Sequence, residues 1–136
     1  MAEPVGAPFT AYIGGMLEEL SEGYARISLQ TGAGHADGFG TVHTGVLTSL
    51  MDSAIGIALG RLRGEGARER EGPHATIEMS TTFYAQASPG DELRIEGRVT
   101  SLAGRIAFGE VEAWREADGE LLAKARLTFA IPGGRD

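Results

Sequence analysis

One apolar run decides what the rest of this chain must do. From Val46 to Gly60 the sequence reads Val-Leu-Thr-Ser-Leu-Met-Asp-Ser-Ala-Ile-Gly-Ile-Ala-Leu-Gly, and Asp52 is its one charged residue. On a helix, Val46, Leu47, Leu50, Met51, Ala54, Ile55, Ile57, Ala58 and Leu59 point in every direction, and a helix apolar on all sides is a buried one. The run falls short of the roughly 20 residues that cross a bilayer. A helix enclosed by the remainder of a domain, with no membrane role, is therefore expected. A carboxylate inside it is costly unless something uses or satisfies it.

The enclosing material must come from 136 residues, enough for one domain with a real core and too few for two, so residues 1–136 are read as a single domain. Cysteine is absent, which excludes disulfides, thiolate ligands and a thiol nucleophile. The three histidines lie far apart without metal-ligand spacing, so no metal is expected, and His35 and His74 read as ordinary loop residues. A net charge of −7 repels phosphate backbones and argues against nucleic acid as partner. The first residues show no basic segment followed by an apolar core of signal-peptide length, so a cytoplasmic location is expected.

Residues 1–8 read as a loose terminus. Phe9 to Leu20 reads as a strand bent at Gly14-Gly15, with a short helix as the alternative, and Tyr24 to Gln30 alternates with Ala25, Ile27 and Leu29 on one face. A glycine-rich loop then delivers the chain to a helix start near His43. Beyond Gly60, residues 61–73 mix arginine with glutamate and glycine, which predicts an exposed connection whose Arg61, Arg63, Arg68 and Arg70 are solvated. Gly56 and Gly60 are read as letting the helix lie close to a sheet. From Thr76 onward the period is two: Ile77, Met79, Thr81 and Phe83, then Leu93, Ile95, Gly97 and Val99, a further strand over 105–115, an Asp118-Gly119 turn, and Ala123, Ala125, Leu127, Phe129 and Ile131. Four strands in a meander follow from this. The expected class is α+β, one curved antiparallel sheet of five to six strands wrapped around one long central helix. A single sheet has one face to offer, so covering such a helix calls for strong curvature, a partner subunit or both, and a homodimer is expected.

The start of the helix is where chemistry can occur. Gly45 and Asp52 lie seven residues apart, about two turns, and share one face at a separation of roughly 10 Å along the axis. The first-turn amides around Thr44 and Gly45 have no partner within the helix and can polarise a carbonyl oxygen that gains negative charge. Gly45, without a side chain, lets a substrate approach the backbone. A base and a donor cluster thus border one groove.

These residues carry a resemblance. Gly40-Thr-Val-His43-Thr-Gly45-Val-Leu, with Asp52 nine positions after the histidine, resembles the signature of hotdog-fold thioesterases of the PaaI-like, 4-hydroxybenzoyl-CoA thioesterase-related group. The resemblance implies a hotdog fold and hydrolysis of a small-molecule acyl-CoA, with coenzyme A as part of the substrate and no separate cofactor. It implies that Asp52 acts as nucleophile or general base, that the Thr44 amide polarises the thioester carbonyl, and that His43 orients the carbonyl or the loop. It further implies that Thr76 supplies a hydroxyl holding the water, and that the site lies between protomers of a homodimer; pairing of dimers into homotetramers stays open. Two positions depart from the family pattern. Thr44 replaces the first glycine of His-Gly-Gly, and Asp37, a substrate-binding candidate, stands where asparagine is common, as a second carboxylate that either repels Asp52 and raises a pKa or faces water. The bland reading of Asp52 is a carboxylate satisfied by Thr48 or Ser49, and that of His43 a residue that merely bonds backbone.

The competing readings are a non-catalytic acyl-CoA binding or sensing domain, and a dehydratase of the same fold. The dehydratase pattern carries a glutamate about five residues after the helix-opening glycine. Leu50 stands there instead.

Overall fold

The computed structural model describes residues 2–132. Seven strands form one antiparallel sheet: β1 (Glu3–Pro4), β2 (Met16–Ser21), β3 (Tyr24–Gln30), β4 (Ala75–Phe83), β5 (Glu92–Ala103), β6 (Ile106–Arg115) and β7 (Leu121–Ala130), in the order β1-β2-β3-β5-β6-β7-β4. Among the described residues three α-helices and one 3-10 turn (Ala33–His35) accompany them: α1 (Pro8–Tyr12), α2 (Thr44–Arg63) and α3 (Ala67–Glu71). The α+β class and the single central helix agree with the expectation. The strand count exceeds it because Glu3 and Pro4 pair with Leu17 and Met16 and so add an edge. The first eight residues, expected to be loose, also place Val5 in the core.

Helix α2 spans 20 residues, longer than the apolar run that marks it. Leu50, Met51, Ala54, Ile55, Ala58 and Leu59 are fully enclosed against the concave side of the sheet, where Ile27, Leu93, Ile95, Val111 and Leu127 meet them. The alternation read for β3, β5 and β7 is the one observed: Ala25, Ile27, Leu29, Leu93, Ile95, Ala123, Ala125, Leu127 and Phe129 all face inward. Close approach of helix to sheet rests on Gly97 and Gly109. A Cβ on Gly109 would lie 2.7 Å from Ile55 Cγ2, and one on Gly97 3.0 Å from Ile55 Cδ1. Gly56 and Gly60, expected in that role, have ordinary room for a Cβ, at 3.9 Å and 3.7 Å from their nearest neighbours.

Pro8 stands in the first turn of α1, where its fixed φ and missing N–H favour a helix, so of the two readings of residues 9–20 the short helix holds over Phe9 to Tyr12 and the strand begins only at Met16. Three other local expectations fail for identifiable reasons. Strand β4 does not open a meander with β5; it pairs with β7 from Ala75↔Ala130 to Phe83↔Ala123 and forms the far edge. Alternation identifies a strand but not its neighbour. Residues 61–73 are partly structured, with the last turn of α2 and all of α3. Arg63 is buried there, donating to the Gly72 carbonyl at 2.7 Å and sitting 3.8 Å from Glu71. His35 and His74 are fixed rather than ordinary loop residues. His35 Nδ1 accepts the Gly32 N–H at 3.0 Å while Nε2 meets the Ile13 carbonyl at 2.7 Å.

Candidate active site

One stripe of α2 is left half-open by the sheet: Gly45, Thr48, Ser49, Asp52, Ser53 and Gly56. Thr48 and Ser49, the bland partners for Asp52, instead send their hydroxyls back to the Gly45 carbonyl, at 3.2 Å and 2.7 Å. The partner of Asp52 comes from across the fold. Thr76 Oγ1 donates to Asp52 Oδ1 at 2.5 Å. Thr76 stands at the second position of β4, opposite Phe129, just before the register shifts. Pairing of the edge strand with β7 thus carries this hydroxyl to the helix, and the second carboxylate oxygen stays available.

His74, two residues earlier, clamps the same junction. Its Nδ1 lies 3.0 Å from Arg63 Nη1 and its Nε2 lies 2.9 Å from the Gly56 carbonyl. A guanidinium only donates, so Nδ1 is bare and the Nε2–H bonds Gly56, one turn beyond Asp52. Burial pushes the His74 pKa below its ordinary value, and the positive charges of Arg63 and Arg68 push the same way against the Gly56 bond. Phe129 meets the ring edge-on at 5.6 Å between centroids. Nothing in the spacing of His74 announces this role.

His43 caps α2. Its Nδ1 accepts the Gly45 N–H at 2.8 Å, which leaves Nε2 as the nitrogen that can donate. Two expectations about Gly45 change as a result. Its amide is already engaged and does not serve as a polarising donor. Its missing side chain makes room for the imidazole rather than for substrate, since a Cβ would lie 2.9 Å from Nδ1. Thr44, exposed, keeps an N–H without an acceptor among the described residues.

Asp37 takes the role of a loop brace. It accepts the Phe39 N–H at 2.8 Å, the Thr41 N–H at 3.1 Å and the Thr41 hydroxyl at 2.5 Å. These bonds hold its carboxyl below the usual carboxylate range, the opposite of the rise that repulsion by Asp52 would bring. With the Ala36↔Val42 bridge and the His43 N–H on the His35 carbonyl, the brace sets the loop that ends at the helix cap. Among the described residues no cluster of three or more metal-type ligands occurs.

Thr44 and Asp52 stand eight positions apart on α2, about 12 Å of rise. A thioester carbonyl held about 2.9 Å from a donor and attacked directly by a carboxylate from about 3.2 Å spans only some 7 Å between the two groups.

Residues 39–122 match the model of the family described as Thioesterase superfamily. Mouse acyl-coenzyme A thioesterase 13 is 29% identical over 94 residues, which cover 69% of this chain and 63% of the mouse protein; the match thus spans under two thirds of that relative. A 3-hydroxyacyl-[acyl-carrier-protein] dehydratase of Bacillus pumilus is 34% identical over 99 residues, 72% of this chain and 65% of the dehydratase. Among solved structures, a conserved Pseudomonas aeruginosa protein superposes with a TM-score of 0.81 at 28% identity, covering 93% of this chain and 95% of that one. The Escherichia coli PaaI protein from the phenylacetic acid degradation operon superposes at 0.83 with 19% identity, over 95% and 87%. A Streptococcus pneumoniae thioesterase protein crystallised with coenzyme A superposes at 0.76 with 19% identity, over 88% and 87%.

Proposed function

The chain belongs to the thioesterase superfamily and has its hotdog fold, and from that footing we propose that it is of PaaI-like type and hydrolyses an acyl-CoA to a free acid and coenzyme A. The observation that carries the reading is the Thr76 hydroxyl 2.5 Å from Asp52 on the half-open stripe of an otherwise apolar helix. Asp52 serves as nucleophile or as the base that takes a proton from water, and Thr76 fixes its rotamer. The Thr44 N–H, with the Nε2–H of His43 beside it, receives the charge that develops on the carbonyl oxygen.

Donor and carboxylate on one helix stand farther apart than direct attack spans, and on this reading the complete site combines Asp52 and Thr76 of one chain with His43 and Thr44 of a second. A homodimer is thereby part of the mechanism. Strand β4 suits such pairing: it is an edge along its length, and Ile77, Phe83 and the following Tyr84 leave 58%, 42% and 57% of their surface uncovered. The bound coenzyme A reported for the pneumococcal protein supports an acyl-CoA as the ligand. A dehydratase reading, raised by the Bacillus pumilus relative, lacks its carboxylate, since Leu50 is apolar and wholly enclosed.

Release of free thiol from a panel of acyl-CoAs tests the assignment. The native chain turns over at least one of them, and Asp52→Asn loses about 10²-fold or more in kcat with its fold intact. Equal binding without turnover by both proteins would favour the sensing domain instead.

A further inference from the structure

A cavity of about 360 Å³ lies beside the start of α2, lined by Phe9, Ile13, His35, His43, Val46 and Ser49, with backbone from Gly34, Ala36 and Gly45. Its outer wall is α1, a short excursion leaving the sheet at Val5 and returning at Gly15, where the Val5 N–H bonds the Gly15 carbonyl at 3.0 Å. Two contacts pin the excursion to the body. The Thr10 and Ser53 hydroxyls meet at 2.5 Å, and the Ile13 carbonyl lies 2.7 Å from His35 Nε2. Gly14, at φ +98°, and Gly15, where a Cβ would press on Thr10 at 3.0 Å and Leu50 at 3.1 Å, let the chain fold back this tightly. The excursion thus presents Phe9 and Ile13 to the cavity at a fixed height, although Phe9 keeps 61% of its surface uncovered. A half-exposed phenylalanine held in place by this many bonds forms a wall that awaits an apolar occupant.

Resting on the thioesterase reading, we propose that this cavity holds the acyl group and that Phe9 determines which acyl groups are accepted. The cavity borders His43 and Gly45, so a carbonyl on the Thr44 N–H places one arm of the thioester inside it. The chemistry of the lining decides which arm. Phe9, Ile13 and Val46 are apolar, and His35, with its Nδ1 accepting a backbone N–H, is neutral. Ser49 spends its hydroxyl on the Gly45 carbonyl. Among the described residues no guanidinium or ammonium lines the cavity. The pantetheine arm, with its amides and terminal phosphates, gains nothing from such walls, whereas an acyl chain or aryl ring does.

The test is the profile of kcat/KM over straight-chain acyl-CoAs from acetyl to dodecanoyl, with benzoyl-CoA added, for the native chain, Phe9→Ala, Phe9→Trp and Tyr12→Ala. Each methylene sheltered by the wall is worth about fourfold. Phe9→Ala lowers kcat/KM for the preferred substrate by about tenfold, mainly through KM, and moves the optimum to longer groups. Phe9→Trp moves it to shorter ones. Tyr12, 87% exposed on the same helix and outside the cavity, leaves the profile unchanged when truncated. Parallel profiles for both Phe9 variants, or a Tyr12→Ala shift equal to that of Phe9→Ala, would overturn the assignment. Affinities of the same acyl-CoAs for Asp52→Asn with and without Phe9→Ala, by calorimetry, read the wall without turnover. Loss of hydrolysis alone therefore counts against the activity and not against the pocket.

Discussion

Thr44→Pro isolates the polarising amide with unusual cleanness. Thr44 is the first residue of α2, where proline's missing N–H breaks no intrahelical bond and its fixed φ suits the turn. The residue before a proline must be extended, and His43 already has φ −58° and ψ 132°. The His43 cap on the Gly45 N–H survives, so the fold is kept while one donor to the carbonyl oxygen vanishes. Loss of one such donor lowers kcat by about 10² to 10³. The variant then answers a second question, because a site shared between chains is complemented by mixing. Unfolding and refolding Thr44→Pro with an equal amount of Asp52→Asn yields a mixed dimer in about half of the molecules. In each mixed dimer one site lacks both groups and the other holds native Asp52 opposite native Thr44. Thiol release should recover to about one quarter of the native rate, far above either variant alone. Stable mixed dimers, verified with one chain tagged, that show no recovery would refute the shared site. Full activity of Thr44→Pro would refute the amide's role.

Two further perturbations read the fold beneath the site. Gly109→Ala places a Cβ 2.7 Å from Ile55, which is fully enclosed and has nowhere to move; overpacking of this kind costs about 1–3 kcal/mol, a fall in Tm of roughly 4–10 °C by calorimetry, and an unchanged Tm would contradict the close approach of α2. His74 is neutral in the fold with its pKa lowered, chiefly by burial, so the unfolded chain takes up the proton first. Its contribution is complete above the ordinary histidine value near 6.5 and is lost as pH falls below it, which predicts a Tm that declines from about pH 6.5 toward pH 5 more steeply in the native chain than in His74→Gln.

How far the sequence could be read depended on whether a feature repeats or meets a distant partner. The buried helix and the inward faces of β3, β5 and β7 were legible because burial imposes a period, and each such residue adds to the same signal. Asp52 stood out for the same reason, as the one charge interrupting that pattern. Its hydroxyl partner Thr76, 24 residues on, was placed by resemblance alone, for one threonine in a strand rich in them carries no periodic mark. The far-edge position of β4 was equally hidden. Alternation is satisfied by any neighbour, and only the sheet order shows why β4 brings Thr76, and not β5, to the helix.

Gly45 shows how a residue can be noticed for the right reason and assigned the wrong task. A glycine at a helix start does signal a close approach, but sequence cannot say which group approaches. Here it is the imidazole two residues earlier, and the cap it forms uses up the very amide that seemed free. With Gly45 engaged, the donors left at the helix start are the Thr44 N–H and Nε2 of His43, both about two turns from the base on their own helix. That spacing is longer than direct attack by Asp52 spans, so the mixed dimer of Thr44→Pro and Asp52→Asn is the measurement that decides whether two chains share the site.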